Sequence, residues 1–269
     1  MRNQAVTATE AMGTDEIAAE LFPASVLDRL RSSEASERRP DKRALRAFGS
    51  EERCRAYLEQ LRWPRGVSCP RCHATKGISR LERRGQFDCN SCGYQFSVRV
   101  GTVLQDSQLP LWKWVLAALV MAESPRGISA NQLRQVLGVS YKTAWYLSHR
   151  IRSSMKDEAT RDLQPAVEKD GQLVPEARIQ ADTIGHLLPD LVSQREVAAP
   201  SDSTWTALQR SLSDSYYHLS AKHLPAYMDE AAFRHKNRNN DFVLRDILLR
   251  LVGDGSMSYA ELVAGSRSI

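Results

Sequence analysis

An α+β fold is what this sequence predicts, on three observations. Four of its five cysteines stand as two C-x-x-C pairs, Cys69/Cys72 and Cys89/Cys92, with sixteen residues between them. Around the second pair, "GQFDC" and "GYQFSV" alternate apolar and polar residues as short strands do. Downstream, residues 107–155 carry three helical patterns with legible start and stop signals. A small cysteine-held β module leading into a helical module is the expectation.

Residues 1–47 read as an N-terminal extension, partly disordered. "RSSEASERRPDKR" (31–43) is a polar, charge-rich linker. An amphipathic helix near 14–31 would offer Ile17, Leu21, Val26, Leu27 and Leu30 as apolar positions. Residues 48–63 read as a helix leading into the cysteine module. Cys54, Tyr57, Leu58 and Leu61 follow the i, i+3, i+4, i+7 spacing of one helix face. Ser50 suits the N-cap, and Glu51 and Glu52 suit the positive end of the helix dipole. Cys54 is expected to be a buried, unreactive thiol.

Residues 64–104 hold the paired cysteines. Each C-x-x-C puts two thiolates on one tight turn, and two facing turns give the four soft ligands of a tetrahedral zinc site. Disulfides are the alternative, but they are rare in a cytosolic chain, and a redox C-x-x-C would not need a second copy. Pro70 stiffens the first turn and Gly93 permits the tight exit from the second. His73 reads as a polar loop residue. With cysteine at all four positions, no place remains for a catalytic water. Zn2+ is therefore expected to be structural, and its binding to supply much of the module's folding free energy. The whole reads as a zinc ribbon.

Residues 105–156 read as the helical module. The first pattern, about 111–122, is apolar on most faces. The second starts at Ser129, where "SANQ" has the form of a capping box, and Leu133, Val136 and Leu137 make an apolar face. "LGVS" (137–140) supplies a glycine at the C-terminal turn and a fresh cap at Ser140. The third helix runs from about 141 to 155, with Ala144, Leu147, His149, Ile151 and Met155 among its inward positions. Two capped helices about a short glycine-containing turn make a helix-turn-helix unit, or else part of a plain three-helix bundle. In a helix-turn-helix the second helix enters the major groove by its N-terminal residues. Here those are Tyr141, Lys142, Thr143 and Tyr146, with Arg150, Arg152 and Lys156 following as candidates for phosphate contacts.

Charge agrees with that reading. The net charge is +5, but residues 41–157 hold 20 Lys and Arg against 9 Asp and Glu, a local excess of +11 that leaves −6 for the remainder. A basic block in an otherwise acidic chain suits a polyanion, so double-stranded DNA is the expected partner. Composition, at 42% hydrophobic and 26% charged, is that of an ordinary soluble globular protein and excludes a disordered or membrane class. The longest apolar run, "WVLAALVMA" (114–122), is too short to span a bilayer. The N-terminus lacks the basic start and apolar block of a signal peptide, so a cytoplasmic location is expected.

At these residues the chain resembles a known family. "FGSEERCRAYLEQLRWPRGVSCPRC", "FDCNSCGYQFSVRVGTVLQDSQLPLWKW" and "GISANQLRQVLGVSYKTAWYLSHRIRSSM" look like the front half of insertion-sequence DDE-type transposases, nearly continuously over 48–156. In that family a zinc ribbon and helix-turn-helix precede an RNase H-like catalytic domain. Residues 201–242 look like the last part of that domain, and "MSYAELV" (257–263) resembles its closing segment. The resemblance makes 201–269 a shortened, mostly helical RNase H-like remnant, and 157–200 a linker or degenerate strand region.

The family's chemistry uses three acidic side chains whose oxygens hold two magnesium ions. The third acid lies three positions before a tryptophan, which places it at Asp202 ahead of Trp205. Asp170 in "AVEKDGQLV" matches the first, although Gly171 replaces the acid expected beside it, and the segment reads equally well as a hairpin turning at Asp-Gly. Asp182 or Asp190 is available as the second, and neither sits in a family motif. Four strands, a helix and short connections need roughly 50–60 residues before the tryptophan helix, whereas only 45 lie between Lys156 and Asp202. The resemblance therefore implies a DNA-binding protein that has lost catalysis and serves a regulatory role. The alternatives are an active transposase, with Mg2+ in an intact site, and an adaptor using its ribbon for protein contacts. "FVLRDILLRLV" (242–252) is amphipathic and suits packing on the C-terminal segment or on a partner subunit, so a homodimer is a further possibility.

Overall fold

The computed structural model describes residues 13–22, 50–124, 127–156 and 223–253, two short strands at 178–180 and 218–220, and positions 24, 255 and 262. Asp170, Asp182, Asp190 and Asp202 lie outside the described residues, as do Val26, Leu27 and Leu30. In chain order the elements are α1 (Thr14–Leu21), α2 (Glu51–Arg62), β1 (Ile78–Leu81), β2 (Gln86–Cys89), β3 (Tyr94–Phe96), α3 (Leu111–Glu123), α4 (Ala130–Leu137), α5 (Tyr141–Ser154), β4 (Arg178–Gln180), β5 (His218–Ser220), α6 (Leu224–Lys236) and α7 (Val243–Gly253).

The first three strands form an antiparallel meander. Ile78 lies opposite Cys89 and Leu81 opposite Gln86, while Phe87 faces Phe96 and Cys89 faces Tyr94. That register stacks the Phe87 and Phe96 rings at 5.6 Å, and Trp63, just past α2, sets an edge against each at 5.4 and 5.9 Å. With Cys69 and Cys89 these rings form a small core of their own. β4 and β5 pair antiparallel with Ile179 opposite Leu219.

The main core surrounds α3. Its apolar run buries Leu111 and every residue from Trp114 to Met121, so it needs neighbours on all sides. Helices α2, α4, α5 and α7 supply them. α7 contributes Leu244, Ile247, Leu248, Leu251 and Val252, an i, i+3, i+4, i+7, i+8 stripe. Cys54, Tyr57 and Leu58 of α2 face the same core.

Two boundaries differ from the sequence-based expectation. Within the expected N-terminal extension, Ile17, Ala18, Leu21 and Phe22 are buried in the main core. The Thr14 amide donates to the Asp241 carbonyl (2.5 Å), and the Leu244 amide donates to the Thr14 hydroxyl (3.2 Å), which satisfies one of the orphan amides at the start of α7. The second difference lies at residue 156, which is not a boundary of packing. Phe233 of α6 and the stripe of α7 share one core with residues 50–156. Two arginines of this C-terminal segment also serve helix ends. Arg234 donates to the Ser124 carbonyl (3.5 Å) just past α3, and Arg250 to the Ser154 and Lys156 carbonyls (3.2 Å each) at the end of α5. Sequence patterning misses this because it reports which face of a helix is apolar, not which other helix covers it.

Candidate metal centre and nucleic-acid interface

The two cysteine turns are built alike. The His73 amide donates to the Cys69 carbonyl (2.9 Å) in the first, and the Gly93 amide to the Cys89 carbonyl (2.8 Å) in the second. The residue after each second cysteine is left-handed, with φ of 59° at His73 and 65° at Gly93. His73 is thus the geometric counterpart of Gly93, a role that its side chain did not signal in the sequence. The strand register brings the turns face to face. Cys69 and Cys92 sulfurs stand 3.7 Å apart, Cys72 and Cys89 sulfurs 3.6 Å, and all four lie within 4.8 Å of one another.

A tetrahedral ion with bonds of about 2.3 Å to sulfur requires sulfur–sulfur edges of about 3.8 Å. The four thiols therefore fit zinc with little rearrangement. Burial raises the Cys69 thiol, but the amides of Cys72 and Arg71 and the neighbouring thiols outweigh it and bring the group down to about 7, while burial and the thiol of Cys72 push Cys92 up to about 12, so the four share protons that a metal would displace. Cys54 stands apart from the four. Burial, helped by Glu51 and Glu52, pushes its thiol up to about 12, which makes it inert.

The ribbon is fastened to the helices. The Arg62 guanidinium donates to the carbonyls of Ser97 (3.4 Å), Val98 (2.9 Å) and Val100 (2.6 Å), closing the ribbon's exit against the end of α2. Glu51 accepts from Arg99 (3.3 Å) and from the Trp112 amide (3.3 Å), so one carboxylate joins α2, the turn that leaves the ribbon and the start of α3. Exposed cations cover the ribbon: Arg65, Arg71, Lys76, Arg80, Arg83 and Arg84.

The α4–α5 pair carries the caps expected of it. Ser129 and Gln132 form a reciprocal capping box, Gly138 is left-handed at φ 59°, and the Ser140 hydroxyl accepts from the Thr143 amide (3.1 Å). Four of the seven expected contact residues lie on the first two turns of α5, and Lys156 follows the helix and is exposed. Tyr141 is 55% exposed and Lys142 is exposed, while Thr143 and Tyr146 are half-buried. The Thr143 hydroxyl lies 2.8 Å from that of Ser140, so it takes part in the cap.

Arg150 and Arg152 correct the expectation of phosphate contacts, since each is only 1% exposed. The second half of α5 is enclosed by α3, α6 and α7, and its guanidiniums work inside the protein. Arg150 donates to the Gln105 carbonyl (2.8 Å) and lies over the Tyr146 and Trp114 rings. Arg152 donates to Glu230 (2.6 Å), the Ser148 hydroxyl (3.0 Å) and the Ile128 carbonyl (3.2 Å), and lies over the Tyr227 ring. No local pattern marks an arginine as internal when its carboxylate is 78 residues away.

His149 is buried nearby. Trp145 lies 4.3 Å from its ring, His223 4.9 Å and Tyr227 5.4 Å. Burial, then the Arg152 and His223 charges, holds His149 well below its ordinary range, so it is neutral in the fold.

Among the described residues no helix is long and apolar enough to cross a membrane. No solved structure matches the chain. A protein from Halobacterium salinarum, described as an uncharacterized protein in transposable element ISH50, is 33% identical over 130 residues, which is 47% of this chain and 42% of that protein. The chain thus spans well under half the length of this relative. Residues 49–95, from the α2 N-cap to β3, match the family described as the transposase zinc-ribbon domain. These similarities support a transposase-like protein that carries a zinc ribbon with a four-cysteine metal site.

Proposed function

We propose that this chain binds duplex DNA through its zinc ribbon and a helix-turn-helix formed by α4 and α5, and that it acts as a regulator without cutting DNA. The observation that carries the reading is a four-thiol centre with its own small core, fastened to the helical core that presents the exposed start of α5. Tyr141, Lys142, Thr143 and Tyr146 would face base edges in the major groove, and exposed ribbon cations would meet phosphates. Zinc, when bound, supplies the cross-link between the two turns. The protein's own residues do the rest: Arg62 and Glu51 hold the ribbon in fixed orientation to α3, and the Ser140 cap sets where α5 begins. Loss of cutting is supported by the 45-residue interval before Asp202 and by α6 and α7, which complete the DNA-binding core.

The test is fluorescence anisotropy on duplexes carrying the ends of the protein's own locus, followed by incubation with Mg2+ or Mn2+. Binding that weakens steeply with salt, with no strand cleavage, is expected. Lys142→Ala is expected to lower the salt slope by about 1 if that lysine meets a phosphate. Cleavage lost in Asp202→Ala would replace this reading with an active transposase. Weak binding unchanged by salt would favour a protein-contact role for the ribbon.

A further inference from the structure

The turn between β1 and β2 gathers arginines from two separate elements. Glu82, Arg83 and Arg84 form a 3-10 turn that ends at Gly85, whose φ is 58°. Gly85 faces α2. A Cβ built there would stand 2.5–2.6 Å from Cζ, Nε and Nη1 of Arg55, so the Arg55 guanidinium lies face-on to the Gly85 backbone. A Cβ at this position would push the flexible end of Arg55 aside, and glycine takes this φ without strain.

The carboxylates nearby are already used. Arg80 on β1 donates to Glu59 on α2 (2.8 Å) and pairs with Glu82 (3.2 Å). Among the described residues Arg55, Arg83 and Arg84 have no ion pair, and Arg83 and Arg84 are exposed. Arg83 and Arg84 thus stand exposed on a turn that Arg55 of the packed helix α2 abuts at Gly85, and Arg55 there also feels the charges of Glu59 and Glu52. This edge lies at the opposite end of β1 and β2 from the paired Ile78 and Cys89, roughly 10 Å along the strands.

We propose that Arg55, Arg83 and Arg84 form a clamp for the phosphodiester backbone of duplex DNA, separate from the cysteine turns and from the exposed start of α5. The inference rests on the DNA-binding reading above and names the ribbon surface that serves it. Guanidinium forks match phosphate oxygens two at a time, and a preorganised edge orders little on binding. Such contacts carry no base information, so they set the register of the protein on the duplex while α5 reads sequence.

The experiment uses the zinc-loaded full chain and a labelled duplex carrying its locus ends, titrated by anisotropy across a salt series. Arg83→Ala/Arg84→Ala is expected to lower the slope of log affinity against log salt by about 2, since each phosphate contact contributes about 0.9. Preference between the locus sequence and a scrambled duplex should be unchanged. Arg83→Lys/Arg84→Lys should restore most of the slope but not the full affinity, because lysine lacks the fork. Lys236→Ala/Arg238→Ala removes the same charge from the end of α6 and should leave the slope near wild type. A wild-type slope in Arg83→Ala/Arg84→Ala, or an equal fall in the Lys236/Arg238 variant, would overturn the clamp. Failure of the wild-type chain to bind duplex DNA would remove the DNA-binding reading and the clamp together. An acidic protein that binds this edge while the variant's DNA slope stays at wild type would assign the edge to a different partner.

Discussion

At the scale of single residues, the interior of α5 is where charge has most at stake. The carboxylate of Glu230 and the guanidinium of Arg152 are both cut off from water, and Arg234 reaches the same carboxylate at 3.5 Å. Removing one partner of such a pair strands the other without solvent, which typically costs about 3–5 kcal/mol. Arg152→Ala is therefore expected to lose about that much in urea unfolding. Arg152→Met combined with Glu230→Gln should recover a good part of it, because the double replacement leaves no buried carboxylate stranded without Arg152. His149 gives the fold a pH dependence. Unfolded, it takes a proton near its ordinary value of 6.5, whereas in the fold burial, Arg152 and His223 hold it well lower. Below about 6.5 the unfolded state binds a proton that the native state does not. The stability from this group is thus complete above about 6.5 and is lost as pH falls from there toward the folded value. Replacing His149 with phenylalanine should flatten that part of a melting-temperature profile.

At the scale of elements, the two cysteine turns differ in how they meet the same backbone demand. Gly93 takes its left-handed conformation freely, and a Cβ added there would meet nothing within 4 Å. The whole cost of Gly93→Ala is then backbone strain of about 1–2 kcal/mol, offset in part by the lower entropy of the unfolded chain. A net loss of about 1 kcal/mol is expected, seen as roughly fivefold weaker zinc in competition with a chromophoric chelator. His73 already bears that strain, so His73→Gly should leave zinc affinity nearly unchanged or slightly improved. α5 illustrates the complementary point that one helix can serve two purposes. Its first two turns, from Tyr141 to Tyr146, are exposed or half-buried except at Ala144, while almost everything from Leu147 to Met155 is interior.

At the scale of the whole molecule, the ends of the chain close the fold that its middle begins. α7 covers α3, α1 covers α7, and Arg250 caps α5. A chain ending at Lys156 would expose the α3 and α5 surfaces that α6 and α7 cover. It is expected to unfold without a cooperative transition or to aggregate, whereas the full chain should show a single sharp melt of its helical signal by circular dichroism. A chain ending at Lys156 that melts as sharply as the full chain, at a similar temperature, would show that residues 105–156 form a domain by themselves. The ribbon has a small core of its own around Phe87 and Phe96, joined to the main core mainly through Trp63 and the Arg62 clamp.

The sequence by itself determined the local features. Cysteine spacing fixed the four-thiol centre, hydrophobic periodicity located α2 through α5, and serine caps with Gly138 marked where α4 ends and α5 begins. Each of these is encoded within a few residues, because turn geometry, capping and helical spacing are short-range. Only the tertiary structure decided which charges face water and which helices share a core. Arg150, Arg152 and Lys142 lie on one helix with the same nominal character, yet the first two are interior and the third is exposed. Their difference is set by Gln105, Glu230 and Ile128, residues that reach α5 from three other segments. The same holds for α1 and α7, whose apolar stripes state a need for burial without naming the partner that meets it.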